Sequence, residues 1–326
     1  MPAFDKKTTA TEVADAFAAD IKGKTVIVTG VTAGGYGAEV ARVLASHGAK
    51  VVLAGRSSKK IQETAENIRK ETPKAELREL VLDLSSQKSV RSAAEEVLKY
   101  SGPVDVAILN AGIMGTPYAK TAEGLESQFG SNHVGHFLFT NLIMPKLLEA
   151  PAPRVVSVAS VGHFWGPVRF DDYGFEEGKT YDKWAAYGQS KTANILFAVE
   201  VAERYKPTKL KAFSLHPGGA ATGIASSMTK EDYEKFSDYY NPDGTPKGDW
   251  MGTLETSTAT HLVAAFDPSI ADKNGAYLVD GNVANEQAAP YALDKDQAAQ
   301  LWTLSEELVG QKFAPPSAQP AAAGLN

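Results

Sequence analysis

The chain has 326 residues, 43% hydrophobic and 22% charged, with a net charge of −6, a globular balance with enough apolar material for a large core. It contains no cysteine, which excludes disulfides, thiolate nucleophiles and cysteine-bound zinc. No Lys/Arg stripe could neutralise a nucleic-acid backbone, and no apolar run approaches the roughly 18 residues that cross a bilayer, so a soluble, cytoplasmic protein is expected.

Val13, Phe17 and Ile21 recur every four residues and predict a short amphipathic helix, an N-terminal extension over 1–21. An alternation follows: strand Thr25–Val28, a glycine-rich turn, and helix Ala38–Ser46 ending at Gly48. Next come strand Lys50–Leu53, helix Ser57–Lys70 stopped by Pro73, strand Leu80–Leu82, and helix Ser86–Tyr100 capped by Ser85. Strands Val104–Leu109 and Val155–Val158 flank a long helix over Leu125–Leu148, with Pro145 near its end. A second long helix spans Trp184–Tyr205, then strands Leu210–Leu215 and Ala276–Val279. Short apolar strands separated by helices predict an α/β fold, a single-domain doubly wound parallel sheet with helices on both faces, over 22–285. A helical segment is expected over 286–313, and the Pro/Ala-rich end, 314–326, reads as a loose tail.

The run Thr29-Gly30-Val31-Thr32-Ala33-Gly34-Gly35-Tyr36-Gly37 sits between the first strand and its helix. Glycines there let the backbone approach a pyrophosphate held at the helix N-terminus. The second strand ends Ala54-Gly55-Arg56-Ser57 with no carboxylate for ribose hydroxyls. Arg56 suits a 2′-phosphate instead, so NADP(H) is the expected cofactor.

On these residues the chain resembles the short-chain dehydrogenase/reductase family, over about 22–285. Asp83-Leu84 is similar to the family's adenine-contacting pair, and Asn110-Ala111-Gly112 to its Asn-Ala-Gly motif. Asn132 matches the helical Asn of a proton relay; Ser160 closes the fifth strand; Tyr187-Gly188-Gln189-Ser190-Lys191 carries Tyr-x-x-x-Lys; Pro217-Gly218 with Thr222 matches the carboxamide-binding turn. Asn132-His133-Val134-Gly135-His136-Phe137 and Ser190–Phe197 resemble the retinol-dehydrogenase-like branch and its fungal relatives. The glycine loop departs from the usual spacing by one residue, between Gly30 and Gly35.

The resemblance implies Tyr187 as general acid/base, Lys191 lowering its pKa, Ser160 binding the substrate oxygen and Asn132 linking Lys191 to solvent through water. It implies cofactor contacts from Gly30, Thr32, Gly35, Tyr36, Gly37, Arg56, Ser57, Asp83, Leu84, Asn110, Ala111, Gly112, Tyr187, Lys191, Pro217, Gly218 and Thr222. Tyr187 and Lys191 are four apart, hence neighbours on one helix face. His133 and His136 lack an acidic companion, so structural roles are expected and no metal. Aromatics between Gly162 and Lys183, and in a lid over about 223–251, predict an apolar substrate site lined by Phe164, Trp165, Tyr181, Tyr239 and Tyr240. The expected activity is hydride transfer between NADP(H) and a hydrophobic ketone, aldehyde or secondary alcohol. The alternatives are epimerase or dehydratase chemistry on the same site, or a non-catalytic NADP(H)-binding regulator. A homodimer or homotetramer built through the long helices is the expected assembly.

Overall fold

A computed structural model describes residues 4–315; residues 316–326 of the expected tail lie outside the described residues. In chain order the elements are α1 (Ala10–Ala16), α2 (Ala18–Ile21), β1 (Thr25–Thr29), α3 (Tyr36–Ser46), β2 (Lys50–Gly55), α4 (Ser58–Glu71), β3 (Glu76–Val81), α5 (Gln87–Leu98) and β4 (Val106–Leu109). Then follow α6 (Ser127–Phe129), a π-turn (Gly130–Val134), α7 (Gly135–Leu148), β5 (Arg154–Val158), α8 (Lys183–Arg204), β6 (Lys211–His216), α9 (Lys230–Lys235), α10 (Leu254–Phe266), β7 (Tyr277–Val279), β8 (Asn282–Val283) and α11 (Lys295–Val309).

The strands form one sheet in the order β3-β2-β1-β4-β5-β6-β7-β8, parallel except for the β7–β8 pair. Chain direction across the sheet reverses between β1 and β4, and the crevice at their carboxyl ends is where such sheets bind ligands. Side chains alternate between the faces. Ile27, Val52, Ala107 and Val155 pack under α5, α7, α8 and α11, whereas Val26, Val28, Val51, Ile108 and Val156 pack under α1, α3, α4 and α10. The expected doubly wound single domain is what forms.

Four local expectations change. The N-terminal helix breaks at Phe17, whose φ of −114° leaves the helical region. Strand β3 begins at Glu76, because its polar Glu76, Arg78 and Glu79 lie at the sheet edge and hide the pattern. Ser86, not Ser85, caps α5 by accepting from the Ser89 amide. Helix α10 carries no apolar stripe in its sequence because it is buried almost all round from Ser257 to Phe266.

Helix α11 lies across α7 and α8. Trp302 is fully buried there, edge-on to Phe137 at 5.0 Å and stacked on Phe197 at 6.2 Å. From α5, Arg91 Nη2 donates to the Val309 carbonyl at 3.1 Å, satisfying an end of α11.

Candidate active site

The glycine loop leaves β1 at Gly30, which has φ +78°; a Cβ there would meet Ala111 Cα at 2.7 Å. Gly37 sits equally close, since a Cβ would fall 2.6 Å from both the Gly30 carbonyl and Asn110 Nδ2. The additional residue in this loop is absorbed at Gly34, which has φ +76° and open space around it, within a turn closed by the Gly35 amide on the Thr32 carbonyl at 3.0 Å. Gly35 then starts α3 with no side-chain cap. The first-turn amides are thereby left to an anion, and the cradle fits a dinucleotide's pyrophosphate. Tyr36 crosses the crevice and donates to the Gly218 carbonyl at 3.1 Å, and burial pushes its phenol up to about 12. Thr32 is exposed at the loop tip.

The floor of the crevice is tied together by backbone and side chain alike. Asn110 Nδ2 donates to the Thr29 carbonyl at 2.8 Å, and the Ala111 amide donates to Thr29 Oγ1 at 2.9 Å. Thr29 Oγ1 lies 2.9 Å from His136 Nε2, and His136 Nδ1 lies 2.9 Å from the Asn132 carbonyl. His136 is thus a link in this network, and His133 pairs with Ser305 Oγ at 2.7 Å.

Asn132 lies in the π-turn and is fully buried. Its Oδ1 accepts from the Ile113 amide, and its Nδ2 donates to the Ile113 carbonyl and to Ser190 Oγ, each at 2.9 Å. The side chain of Asn132 thus braces the 110–113 turn against α8. A Cβ on Gly112 would lie 3.4 Å from both Asn132 Oδ1 and Lys191 Nζ, so these two groups converge there.

Tyr187 and Lys191 stand on the same face of α8, both buried, with Nζ 5.6 Å from the phenol ring centroid. Lys191 Nζ donates to the Val158 carbonyl at 3.0 Å, which also accepts from Asn194 at 3.0 Å. Burial pushes Lys191 down to about 8. The same desolvation pushes the Tyr187 phenol up to about 12, with Ser160 hydrogen bonding to the phenol pulling the other way. Ser160 follows β5, is partly exposed, and accepts from the Gly162 amide at 3.0 Å. Gly162 is obligatory at its position: a Cβ would fall 2.7 Å from the Tyr187 ring.

The outlying expected cofactor residues occupy the same rim. Arg56 is exposed just beyond β2 with no ion pair among the described residues, and Ser57 Oγ caps α4 by accepting from Lys60 at 3.4 Å. Asp83 Oδ1 accepts from the Ser85 amide and hydroxyl, and the Leu84 carbonyl would sit 2.4 Å from a Cβ on Gly135. Pro217 and Gly218 follow β6, and Thr222 Oγ1 accepts from the Ile224 amide at 3.4 Å.

Of the expected substrate residues, Trp165 lies beside the Tyr187 ring at 5.9 Å and Phe236 at 5.3 Å, and Phe164 is half exposed. Tyr239 and Tyr240 pack on Trp250 at 5.7 and 5.2 Å. The Tyr181 hydroxyl accepts from Gln128 Nε2 and donates to the Thr116 carbonyl, both at 2.9 Å, which holds its ring in place. Sequence reasoning missed Asp232. This nearly buried carboxylate pairs with Lys183 and accepts from Trp184 Nε1 at 3.0 Å and the Thr229 amide at 2.7 Å, anchoring α9 to the start of α8. Its one sequence signal was the Thr229–Asp232 capping spacing.

Comparison with known proteins places this arrangement. A family model described as short chain dehydrogenase matches residues 24–233, which hold the glycine loop, Ser160, Tyr187 and Lys191. The chain is a short-chain dehydrogenase. Members of this family are oxidoreductases that use nicotinamide dinucleotides. It is 36% identical over 296 residues to mouse retinol dehydrogenase 12, covering 89% of this short-chain dehydrogenase and 87% of the relative. It is also 36% identical over 302 residues to the short-chain dehydrogenase/reductase prx1 of Penicillium rubens, covering 89% and 86%. An uncharacterized protein from Mycobacterium paratuberculosis has a similar structure, with a TM-score of 0.69 and 32% identity over 91% of this chain and 98% of that one. The likeness to the retinol-dehydrogenase-like branch, with a fungal relative among the matches, follows the sequence reading.

Proposed function

We propose that this dehydrogenase interconverts an apolar aldehyde or ketone with its alcohol, using NADP(H), with Tyr187 as the acid/base. The observation that carries the reading is the placement of Lys191 Nζ 5.6 Å from the Tyr187 ring, both buried on α8, with the partly exposed Ser160 beside the phenol. As hydride reaches the carbonyl carbon, charge builds on oxygen. Ser160 donates a hydrogen bond to that oxygen, and Tyr187 delivers the proton that makes it a hydroxyl. The dinucleotide, when bound, supplies the hydride and, once oxidised, a positive ring that favours the phenolate. Lys191, fixed by the Val158 carbonyl, places a second positive charge below the phenol. Gly30, Gly37 and the uncapped start of α3 would hold the pyrophosphate, and the unpaired Arg56 the 2′-phosphate.

The names of the retinol dehydrogenase relatives suggest a long apolar substrate, and the aromatic rim of Phe164, Trp165 and Phe236 suits one. A homodimer or homotetramer is part of the same reading, with α11 lying on part of the α7 and α8 surface through Trp302. The test is consumption of NADPH with a panel of apolar aldehydes and ketones, for wild type and Tyr187→Phe. Turnover confined to wild type is expected. Product isomerised without net NADPH consumption, or equal turnover by both proteins, defeats the reading.

A further inference from the structure

His163 lies three residues beyond Ser160 and is fully buried, with no access to the crevice. Its ring nitrogens have different kinds of partner. Nδ1 lies 2.7 Å from the Ser160 carbonyl, which can only accept, and Nε2 lies 3.0 Å from the Ala289 amide, which can only donate. One protonation state satisfies both: neutral imidazole with its hydrogen on Nδ1. Burial favours that neutral form, holding the ring below the ordinary histidine range.

The backbone of His163 is used as fully as its ring. Its carbonyl accepts from Tyr291 Oη at 2.8 Å and from Thr192 Oγ1 at 3.1 Å. Thr192 is the neighbour of Lys191 on α8, and its hydroxyl also reaches the Gly166 carbonyl at 2.8 Å. Phe164 and Tyr277 close over the imidazole, with ring centroids at 4.2 and 5.4 Å. Three separate parts of the chain thus meet at one residue: the turn carrying Ser160, the helix carrying Tyr187 and Lys191, and the segment Ala289–Tyr291 from far downstream.

We propose that His163 is a positioning residue that clamps the Ser160 turn through its Nδ1–H bond to the Ser160 carbonyl, while its own carbonyl ties that turn to Thr192 of α8 and to Tyr291. The inference rests on the reading of Ser160 as the group that binds the substrate oxygen. It adds that the serine is set by a side chain of its own turn, whose backbone is also tied to Tyr291, outside the 24–233 stretch matched by the family model. A hydrogen-bonding hydroxyl must reach the developing oxyanion within a few tenths of an ångström, and displacement by about 1 Å can cost about 10²-fold in rate. The Ser160 carbonyl also accepts from the His163 amide at 3.1 Å, and the Val161 amide donates to His216 Nδ1 at 3.3 Å, so the Nδ1–H bond, at 2.7 Å, is the shortest of the bonds that hold this turn.

The two bonds of the ring can be separated by substitution. His163→Asn keeps a donor at the Nδ1 position and loses the acceptor for Ala289, His163→Gln keeps the distal acceptor and loses the proximal donor, and His163→Ala loses both. We expect kcat to fall about 10–100-fold in His163→Ala and His163→Gln and to recover to within about fivefold of wild type in His163→Asn. The Kd for NADPH, measured by its fluorescence, stays within about twofold throughout. Failure of His163→Asn to recover, or recovery by His163→Gln to the same degree, overturns the proposal. If His163→Ala does not fold, the Asn-against-Gln comparison decides alone. A readout independent of turnover is the ¹⁵N spectrum of the histidine rings, with the His163 signals assigned by their loss in His163→Asn. A protonated Nδ1 is expected, and a protonated Nε2 overturns the clamp. Loss of wild-type turnover together with NADPH binding would instead sink the functional reading, leaving the ring assignment to be judged by the spectrum.

Discussion

Between Val158 and Lys191 the crevice floor is closed by buried bonds: Lys191 and Asn194 share one carbonyl, Asn132 is braced on both sides, and Ser190 Oγ donates to the Tyr187 carbonyl at 2.8 Å. The roof, from Gly219 to Gly252, is held at a few points only. Asp232 fastens α9, and at the other end the Trp250 ring packs on Gly219, where a Cβ would fall 2.4 Å away, while the Gly252 amide donates to the Gly219 carbonyl at 2.7 Å. Between those anchors Tyr239 is 53% exposed, and the anchoring Trp250 is itself 37% exposed. Sparse anchoring of this kind opens at low free-energy cost, whereas the floor opens only with the fold. The division suits an enzyme whose chemistry is fixed and whose substrate must enter.

The comparison is broken most severely at the floor. Tyr187→Phe leaves the ring and its packing in place and removes the proton, so kcat falls about 10²–10⁴-fold while NADPH binding is retained. A loss below tenfold would mean another group donates. Next in size is the rim. Arg56→Ala removes the single cation at the end of β2 and lowers the ratio of kcat/KM for NADPH over NADH about 10–100-fold. An unchanged ratio would assign the 2′-phosphate elsewhere.

A smaller effect is expected in the roof. Asp232→Asn removes the charge facing Lys183 but can keep the bond from the Trp184 indole. The lid loosens without leaving, KM for substrate rises about three- to tenfold, and kcat stays within about twofold. A kcat loss like that of Tyr187→Phe would show that the two regions are one unit. Because Lys183 and Trp184 open the same helix that carries Tyr187, this variant probes where the boundary lies.

What the sequence showed divides along the same line. The alternation of apolar strands and helices fixed the sheet because β1, β4 and β5 are buried on both faces, so they read as unbroken apolar runs. Tyr187, Lys191 and Ser160 were readable because their spacing is set by one helix and one strand end. The bracing bonds of Asn132 were not readable, since they go to the backbone of Ile113 and to a serine on another helix. Asp232 was passed over for the same reason: its indole partner, Trp184, lies 48 positions away. Helix α10 was missed because Thr256, Thr258 and Thr260 lower helix propensity, and full burial erases the polar face that marks a helix in sequence.

The smallest perturbation acts on neither region but on the core beneath both. His133 and His261 are fully buried, and burial pushes each down to about 3. In the unfolded chain each titrates near 6.5. Between these values the unfolded state binds more protons than the folded one, so stability is present above about pH 6.5 and is lost as pH falls toward 3. One such ring costs about 2–3 kcal/mol between pH 6.5 and 4.5. His261 is the sharper probe, since the Thr258 backbone lies near its ring but neither ring nitrogen makes a well-formed hydrogen bond among the described residues, and it lies against Tyr36 with ring centroids 6.1 Å apart. His261→Met removes the titration and keeps an apolar side chain of similar volume. Its Tm therefore falls less than that of wild type between pH 7 and 5, by a few degrees on the scale of a chain this size. Parallel Tm curves for the two proteins would show that His261 is already relieved of its burial in solution, and that the α10 face under the glycine loop is wetter than its packing indicates.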